Sequence, residues 1–270
     1  MAYVAYNNIR AFLSTGDEQQ GDSASSYNIL YATNFSANNT TQLKRVKRIG
    51  QELDYYIQTG PKSASISTTI IPVTGANFNQ LTGFLALTGD FVSGSFVKVP
   101  NYTFKKCFLK SINFSLEPWK PMLAEMQFDS YGQSSGASIY SDAAQTADTG
   151  IISPLKGMSI VLSAPSFTQT INEYENLNFG IEVERMPNFE IGQAYPTKVS
   201  VGKITKSLQI NGISNIDWLS DYTATTTVTA TITMADGNSF SVAGVLNSQN
   251  VSVDSNGVAK GGLQVIEEMV

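Results

Sequence analysis

Hydrophobic and polar residues alternate along much of this chain, and the alternation is clearest at residues 227–234. Threonines occupy one face of that segment, and the other face carries Val228, Ala230, Ile232 and Met234. Such period-two patterning is what a half-buried β-strand requires. Asp236-Gly237 comes next, a pair that tolerates positive φ and commonly joins two antiparallel strands. The pattern therefore predicts a β-hairpin that turns at residues 236–237.

Alternating or β-branched runs elsewhere predict most of the remaining fold as strands. The predicted segments are residues 63–71, 91–99, 104–116, 123–131, 158–163, 179–185, 198–210 and 245–253. One segment, 78–87, follows a helical period instead, because Phe78, Leu81 and Leu85 share a face and Gly89 can end a helix. The expected fold class is mainly β, with about one short helix in each structural unit.

A long polar stretch divides the chain almost in half. Residues 133–149 are rich in Ser, Gly, Ala, Asp and Thr and poor in large apolar residues, as linkers and loops commonly are. We therefore predict a first domain at residues 1–132, whose residues 1–27 form an N-terminal arm. A linker at 133–157 and a second domain at 158–270 complete the predicted organisation.

The two halves share short motifs at a near-constant spacing, which indicates an internal duplication. Ile49-Gly50-Gln51 recurs 142 residues later as Ile191-Gly192-Gln193, and ten residues after each of these glycines comes another, Gly60 and Gly202. Glycine reaches backbone conformations that other residues avoid. These positions are therefore predicted to mark tight turns beside a long loop or an extended hairpin.

Two further blocks extend the match between the halves. Downstream, at a spacing of 137, Leu109, Ser111, Asn113, Ser115 and Glu117 correspond to Leu246, Ser248, Asn250, Ser252 and Asp254. Upstream, at a spacing of 132, Leu30, Ala32 and Phe35 correspond to Leu162, Ala164 and Phe167. The blocks occur in the same order in both halves. That order favours duplication over the easy self-alignment of any Ser-rich β sequence.

Composition excludes several classes of function. Charged residues make up 14% of the 270 residues, against about 25% in an average soluble protein, and the net charge of −5 argues against wrapping a polyphosphate as the main task. The chain has no histidine, which excludes Ser-His-Asp catalysis and histidine metal sites. Its one cysteine, Cys107, excludes an intrachain disulfide and a cysteine-rich metal site. We expect no cofactor, no metal and no enzymatic activity.

The chain carries no signal for a membrane or for export. Residues 1–10 lack a basic region followed by a long apolar stretch, so we expect no signal peptide. No run approaches the 18 apolar residues of a spanning helix. Cytoplasmic synthesis, without membrane association, is the expectation.

Several segments of both halves resemble one family. In the second half they are Phe179-Gly180-Ile181-Glu182-Val183-Glu184-Arg185, Phe189-Glu190-Ile191-Gly192, and Gly202-Lys203 leading into Ser207-Leu208-Gln209-Ile210. This succession resembles the core of bacteriophage tail tube proteins, in which a strand leads through an apolar-Gly turn and a long loop into a strand opened by Gly and a basic residue. In the first half, residues 107–116 and 126–132 are similar to that family's closing hairpin, which commonly ends in an aromatic residue and Gly.

The resemblance covers roughly residues 28–132 and 158–270, and it implies an architecture and a function. It implies two tandem β-sandwich-like or barrel-like tail-tube domains in a structural virion protein. Its subunits would close into rings, and stacked rings would form the tail tube that conducts double-stranded DNA during ejection. Two copies in one chain resemble the duplicated members, in which three chains form a ring with pseudo-sixfold symmetry, and a hexamer is the alternative. Other phage tail proteins would be further partners.

Two other functions remain open from the sequence. A hub or tip component of the tail would use the same duplicated fold. A β-rich receptor-binding or carbohydrate-binding virion module would also be acidic and free of histidine, but it would form a discrete particle instead of a polymer. A hydrolase that uses two carboxylates needs a cleft with one raised pKa, and no motif points to one.

The densest charge cluster is Lys44, Arg45, Lys47 and Arg48. It could bind nucleic acid, form a solvated face, or contact an acidic patch of the adjacent subunit. Aromatic residues do not interrupt it, as they do in single-strand nucleic-acid sites. We place it among the candidate subunit contacts, because it directly precedes Ile49-Gly50.

Three more residues are candidate interface positions. Glu182 and Glu184 share one strand face, where they could line a lumen, join a ring interface or simply face solvent. Trp119 lies between Pro118 and Pro121, in the turn of the proposed closing hairpin, and could stack on a sugar or pack on a neighbouring subunit. The loops at 51–59 and 193–201, and the arm at 1–27, are the candidates for contacts between rings.

Overall fold

The described part of the chain is built from antiparallel β-strands. The computed structural model describes residues 11–14, 26–29, 32–47, 55–71, 95–99, 102–117, 120–132, 158–165, 167–214, 227–234, 237, 239–253, 255 and 257–269. All regular elements within these ranges are strands, which confirms the predicted mainly-β class. The predicted helix at 78–87 lies outside the described residues.

Fourteen strands make up this part of the fold. The first seven are β1 (Ala11–Ser14), β2 (Ser26–Ile29), β3 (Ala32–Val46), β4 (Tyr55–Ile70), β5 (Ser95–Val99), β6 (Tyr102–Leu116) and β7 (Leu123–Ser130). The second seven are β8 (Ser159–Ala164), β9 (Phe167–Ile171), β10 (Asn176–Asn188), β11 (Lys198–Ile213), β12 (Thr227–Thr233), β13 (Ser239–Val253) and β14 (Ala259–Met269). We call β1–β7 the first unit and β8–β14 the second unit.

The hairpin predicted at residues 236–237 is confirmed. Strands β12 and β13 pair with Thr231 opposite Ser241, and Gly237 adopts a φ of 86° between them. The threonines of β12 face outward or lie half-buried, while Val228, Ala230 and Ile232 are buried. The alternation in the sequence therefore reports correctly which face of this strand meets the core.

The two units have the same strand order within one sheet. The order in the first unit is β2-β1-β5-β6-β7-β4-β3, and in the second it is β9-β8-β12-β13-β14-β11-β10. Each strand of the second unit thus has its counterpart seven strands earlier. All of these neighbouring pairs are antiparallel.

The registers of the long hairpins also coincide, as far as Thr41 on β3 and Val183 on β10. Phe35 is opposite Thr68 in the β3–β4 ladder, and Leu177 is opposite Ile210 in the β10–β11 ladder. Each residue of the second pair comes 142 positions after its counterpart in the first pair, which is the spacing of the Ile-Gly-Gln motif. The upstream spacing of 132 is therefore wrong within β3: Phe35 corresponds to Leu177, because Phe167 belongs to β9, the counterpart of β2.

The β6–β7 and β13–β14 ladders repeat in the same way at the predicted spacing of 137. Leu109 is opposite Phe128, and its counterpart Leu246 is opposite Val265. A register shift follows directly in each ladder, between Leu109 and Ser111 and between Leu246 and Ser248. A bulge inserts an extra residue at a defined place, so its recurrence fixes the correspondence of the two units to the residue.

One hydrophobic core spans both units. The ring of Phe114, on β6, stacks on that of Phe179, on β10, with centroids 4.7 Å apart, and Phe179 also meets Phe240 of β13 at 4.9 Å. All three belong to one buried cluster that draws on strands of both units. The linker predicted at 133–157 lies outside the described residues, and the division into two domains stays a prediction.

Candidate assembly surfaces

The two units are joined edge to edge by β6 and β10. Leu116 is opposite Leu177, and the antiparallel ladder continues to Ser111 opposite Glu182. Strand β5 pairs with the beginning of β6, as far as Cys107, so β10 lies beyond β5 along the same edge of β6. We call this contact the β6–β10 junction, and it shows how one unit accepts another.

Arg185 extends the junction past the end of that ladder. Its Nε donates a hydrogen bond to the carbonyl oxygen of Leu109 at 2.9 Å, and its guanidinium carbon lies 5.8 Å from the centre of the Phe108 ring. Phe108, Tyr131 and Val199 form a small buried cluster of their own. A cation over an aromatic face is attracted by the ring's electrons, so side chains of both units stabilise this end of the junction.

Burial at this cluster changes the titration of two nearby groups. Removal from water raises the pKa of Tyr131 to about 12, with Asp129 adding to the rise and Arg185 opposing it. Burial also raises the pKa of the Asp129 carboxyl, against the positive charges of Lys110 and Arg185. Both shifts have the sign expected for acids taken out of water.

Glu182 and Glu184 occupy different settings. Glu182 is opposite Ser111 across the β6–β10 junction, so it lies at the contact between the two units. The Glu184 carboxylate accepts a hydrogen bond from the backbone N–H of Lys203 at 3.2 Å, which ties it to the neighbouring strand. Both residues are exposed, and the prediction that they line an interface between subunits stays a prediction.

Gly60 and Gly202 lie within strands β4 and β11, not in the tight turns that the sequence predicts for them. Each falls at an irregularity of its ladder: Gly60 lies between the paired residues Gln58 and Lys62, and Gly202 between Val201 and Ile204. A Cβ on Gly202 would stand 2.7 Å from a Glu184 carboxylate oxygen. Glycine at a strand bulge leaves room for such a close approach.

Of the basic cluster, Lys44 and Arg45 lie at the end of β3, Lys47 follows the strand, and all three are exposed. Arg45 is opposite Tyr56, itself 65% exposed. Arg48, Ile49 and Gly50 lie outside the described residues. We call this end of the β3–β4 hairpin the first tip.

The matching end of the β10–β11 hairpin, the second tip, exposes the apolar side chains of Met186, Phe189 and Ile191, and Ile191 is wholly exposed. The charged Glu190 and Lys198 are exposed beside them. Gly192 has a φ of 86° in the turn that follows, so this one of the predicted glycine turns is present. The Ala194 carbonyl oxygen accepts a hydrogen bond from the Lys62 N–H at 3.1 Å, so the loop also touches the first unit.

Sequence reasoning missed two further surfaces, which are open strand edges. Among the described strands, β3 pairs with β4 alone; its residues 35–40 are exposed apart from the half-buried Phe35, and we call them the β3 edge. On β13, pairing with β12 stops at Val245, and residues 248–253 are exposed; we call them the β13 tail. The repeat spacing of 137 could have indicated the β13 tail, because it matches Phe114 and Leu116 of β6 to Val251 and Val253.

Trp119 and residues 51–54 of the loop predicted at 51–59 lie outside the described part of the chain. The rest of the two loop predictions is wrong in part: residues 55–59 begin strand β4 and residues 198–201 begin strand β11, because the long hairpins extend further toward their tips than the sequence indicates. Of the predicted arm at 1–27, only β1 and the first residues of β2 are described. Their proposed contacts stay predictions.

The described residues form no group of three or more His, Cys, Asp or Glu side chains that could hold a metal ion. No helix in the same part of the chain is long and apolar enough to cross a membrane. Cys107 is buried, and its thiol lies 3.4 Å from the Phe104 carbonyl oxygen.

No protein-family model matches the chain, and no curated protein matches it significantly.

Proposed function

We propose that this chain is a structural virion protein whose subunits close into rings, and that the rings stack into a phage tail tube. The observation that carries the proposal is the duplication: two units of the same strand order are joined edge to edge in one antiparallel sheet. A chain that sets two like units side by side has the form of a ring segment, and repeated head-to-tail contacts close a ring when the rotation allows it.

In this proposal three chains supply six units to a ring of pseudo-sixfold symmetry. The Ser, Thr and Asn residues of the β3 edge and the β13 tail suit surfaces that become buried on assembly, because neutral polar groups lose less on desolvation than charges do. The net charge of −5 disfavours tight binding of DNA that passes through the lumen. The role is structural and non-catalytic, with other tail proteins as partners at the two ends of the tube.

The hairpin tips are the proposed contacts between rings. The second tip exposes Met186, Phe189 and Ile191, and exposed apolar groups gathered at one place favour burial against a partner. The first tip exposes Lys44, Arg45 and Lys47, which favours an acidic partner surface. Stacked rings would bring such tips against the face of the next ring.

Negative-stain electron microscopy over a concentration series tests the proposal. Stacked rings with a stain-filled channel are the expected result, and top views count the subunits, with three chains expected and six as the alternative. Discrete rings that never stack would instead support a hub or tip component. Small solid particles at every concentration would overturn the proposal, and a glycan-binding screen would then test the carbohydrate-binding alternative.

A further inference from the structure

The β6–β10 junction joins two strands whose counterparts, β13 and β3, each have an exposed segment, and no described strand pairs with the corresponding side of either segment. The counterpart of β10 is β3, and the counterpart of β6 is β13. On β10 the edge is covered by β6, whereas the β3 edge meets no described strand. On β6 the segment 111–116 is covered by β10, whereas the β13 tail is exposed. The described part of the chain thus contains one complete junction, and the two strand segments that would form a second one are both exposed.

The residue pairs of the β6–β10 junction give a register for a contact between the β3 edge and the β13 tail. Within the chain, Leu177 is opposite Leu116 and Glu182 is opposite Ser111. The spacing of 142 converts β10 positions to β3 positions, and the spacing of 137 converts β6 positions to β13 positions. The converted pairs run from Phe35 opposite Val253 to Thr40 opposite Ser248.

We infer that the β3 edge pairs, antiparallel and in this register, with the β13 tail of a second copy of this chain. The inference deepens the proposed function, since it names the contact through which chains would join in a ring. Exposed strand edges present unpaired backbone N–H and C=O groups, which make them ready templates for a strand from another chain.

The side chains on one face support the register. Phe35 would meet Val253, and Ala37 would meet Val251, in the places where Leu177 meets Leu116 and Phe179 meets Phe114. Val251 and Val253 are 60% and 65% exposed in the single chain, although their counterparts Phe114 and Leu116 are buried. Covering these valines would remove apolar surface from water, which is the main favourable term in association.

The contact that extends the junction is matched as well. Arg185 and Phe108, which touch across the β6–β10 junction, convert to Leu43 and Val245. These two side chains are 59% and 47% exposed. An apolar pair replaces the cation and ring, so both ends of the converted ladder carry apolar groups that are at least partly exposed.

At Asn38, the two strands of the proposed contact must lie farther apart than β10 and β6 do at Gly180. Gly180 lies so close to β6 that an added Cβ would stand 2.4 Å from the Ile112 carbonyl oxygen. Its counterpart on the β3 edge is Asn38, which has a Cβ. The second copy's strand therefore sits at the ordinary ladder spacing of about 4.8 Å, without the close approach that Gly180 permits.

Pairs of introduced cysteines test the register. The variants are Ala37→Cys with Val251→Cys, and Ser36→Cys with Ser252→Cys, because consecutive pairs alternate between the wider and the closer spacing of an antiparallel ladder. A matched control combines Ala37→Cys with Val245→Cys, six residues out of register and so about 20 Å away. The native Cys107 is buried and stays in place. A short bis-thiol crosslinker is applied to the full-length protein under assembly conditions.

We expect chain-to-chain crosslinks in at least one in-register variant and none in the control. Assembly without in-register crosslinks would overturn this inference and leave the proposed function standing, as would equal crosslinking in the control. In-register crosslinks in a protein that forms no stacked rings would support the inference and count against the tube. A chain that stays monomeric throughout would overturn both.

A charge variant gives a second, independent readout. Val251→Lys with Val253→Lys changes two exposed side chains, so the circular dichroism of the single chain should not change, while the dissociation constant of the assembly rises about tenfold or more through desolvated charge. Gln127→Lys is the matched control, because Gln127 is exposed but its strand is paired on both sides. Equal association of both variants would contradict the inference.

Discussion

Strands β3 and β10 are counterparts with the same register, and they differ in what covers their outer edge. On β10 the residues that face the core at this edge are Leu177, Phe179 and Ile181, all buried. On β3 the same positions hold Phe35, Ala37 and Asn39, of which the last two are exposed. The comparison teaches that a repeated strand can keep its ladder while its side chains adapt to whether a neighbour from the same chain is present.

The two tips differ in a similar way. The first tip is basic, with Lys44, Arg45 and Lys47, and the second is apolar, with Phe189 and Ile191. Each hairpin nevertheless has an irregularity at the same place, between Thr41 and Leu43 on β3 and between Val183 and Arg185 on β10, although it spans three residues of β4 and two of β11. The hairpins therefore share a framework and offer different surfaces at their ends.

The largest expected effect separates the covered edge from the open one. Leu177→Ala removes a fully buried side chain at the β6–β10 junction, and such truncations lower the free energy of unfolding by about 2–5 kcal/mol. Phe35→Ala, at the counterpart position, should cost clearly less in the single chain, because Phe35 is half-buried. Urea unfolding of the unassembled protein measures both. Equal losses would show that the β3 edge is covered in the single chain.

A smaller effect is expected where the two edges differ in spacing. Gly180→Ala places a Cβ against the β6 backbone, and the resulting shift should lower the free energy of unfolding by about 1–3 kcal/mol. Asn38→Ala, at the counterpart position, should change it by less than about 0.5 kcal/mol, as is usual for an exposed residue. Thermal unfolding of both variants checks this prediction, and a neutral Gly180→Ala would mean that the junction is looser than described.

A pH effect is expected at the junction and not at its open counterpart. Tyr131, with its pKa raised to about 12, keeps its proton in the folded state where the unfolded chain loses it, at about pH 10. The folded state therefore binds more protons between about pH 10 and 12, and stability falls as the pH rises through that range. Tyr131→Phe should flatten this fall, as followed by unfolding at successive alkaline pH values. Its counterpart in the second unit is Glu268, which has no phenol group, and Glu268→Gln serves as the control.

The smallest effects on unfolding belong to the tips. Ile191→Lys and Lys44→Ala both change exposed side chains, so each should alter the free energy of unfolding by less than about 0.5 kcal/mol. If the apolar tip joins rings, Ile191→Lys should nevertheless shorten the stacks seen by electron microscopy. Lys44→Ala should shorten the stacks less at high salt than at low salt, because screening at high salt already weakens charge contacts. Stacks of normal length from Ile191→Lys would exclude the second tip as a ring contact.

Several parts of the fold could be predicted because they depend on one face of one strand. The alternation at residues 227–234 and the turn at Gly237 are local features, and both are present. The spacing of 137 between Leu109 and Leu246 is confirmed to the residue, because each of these leucines lies directly before the bulge of its ladder. Strand β3 was harder to predict, because an edge strand exposed along most of its length has no apolar alternation to reveal it.

The candidate site was only partly predictable, because its parts come from distant places in the sequence. Arg185 reaches Phe108 and Leu109 only after β10 has paired with β6. The sequence matches Gly60 to Gly202, and both lie at the irregularity of their ladder, whose place depends on the opposite strand. Pairing across a sheet is set by tertiary contacts, which no short window of sequence contains.

The sequence by itself determined that this protein is mainly β, that its two halves repeat, and that histidine chemistry and an intrachain disulfide are absent. Only the tertiary structure decided that β10 of one half joins β6 of the other, and that no described strand pairs with the outer side of the β3 edge or of the β13 tail. The physical reason is that side-chain alternation reports which face of a strand is buried. The edges of a strand carry the same backbone donors and acceptors at almost every residue, so their partners are chosen by the packing of the whole sheet.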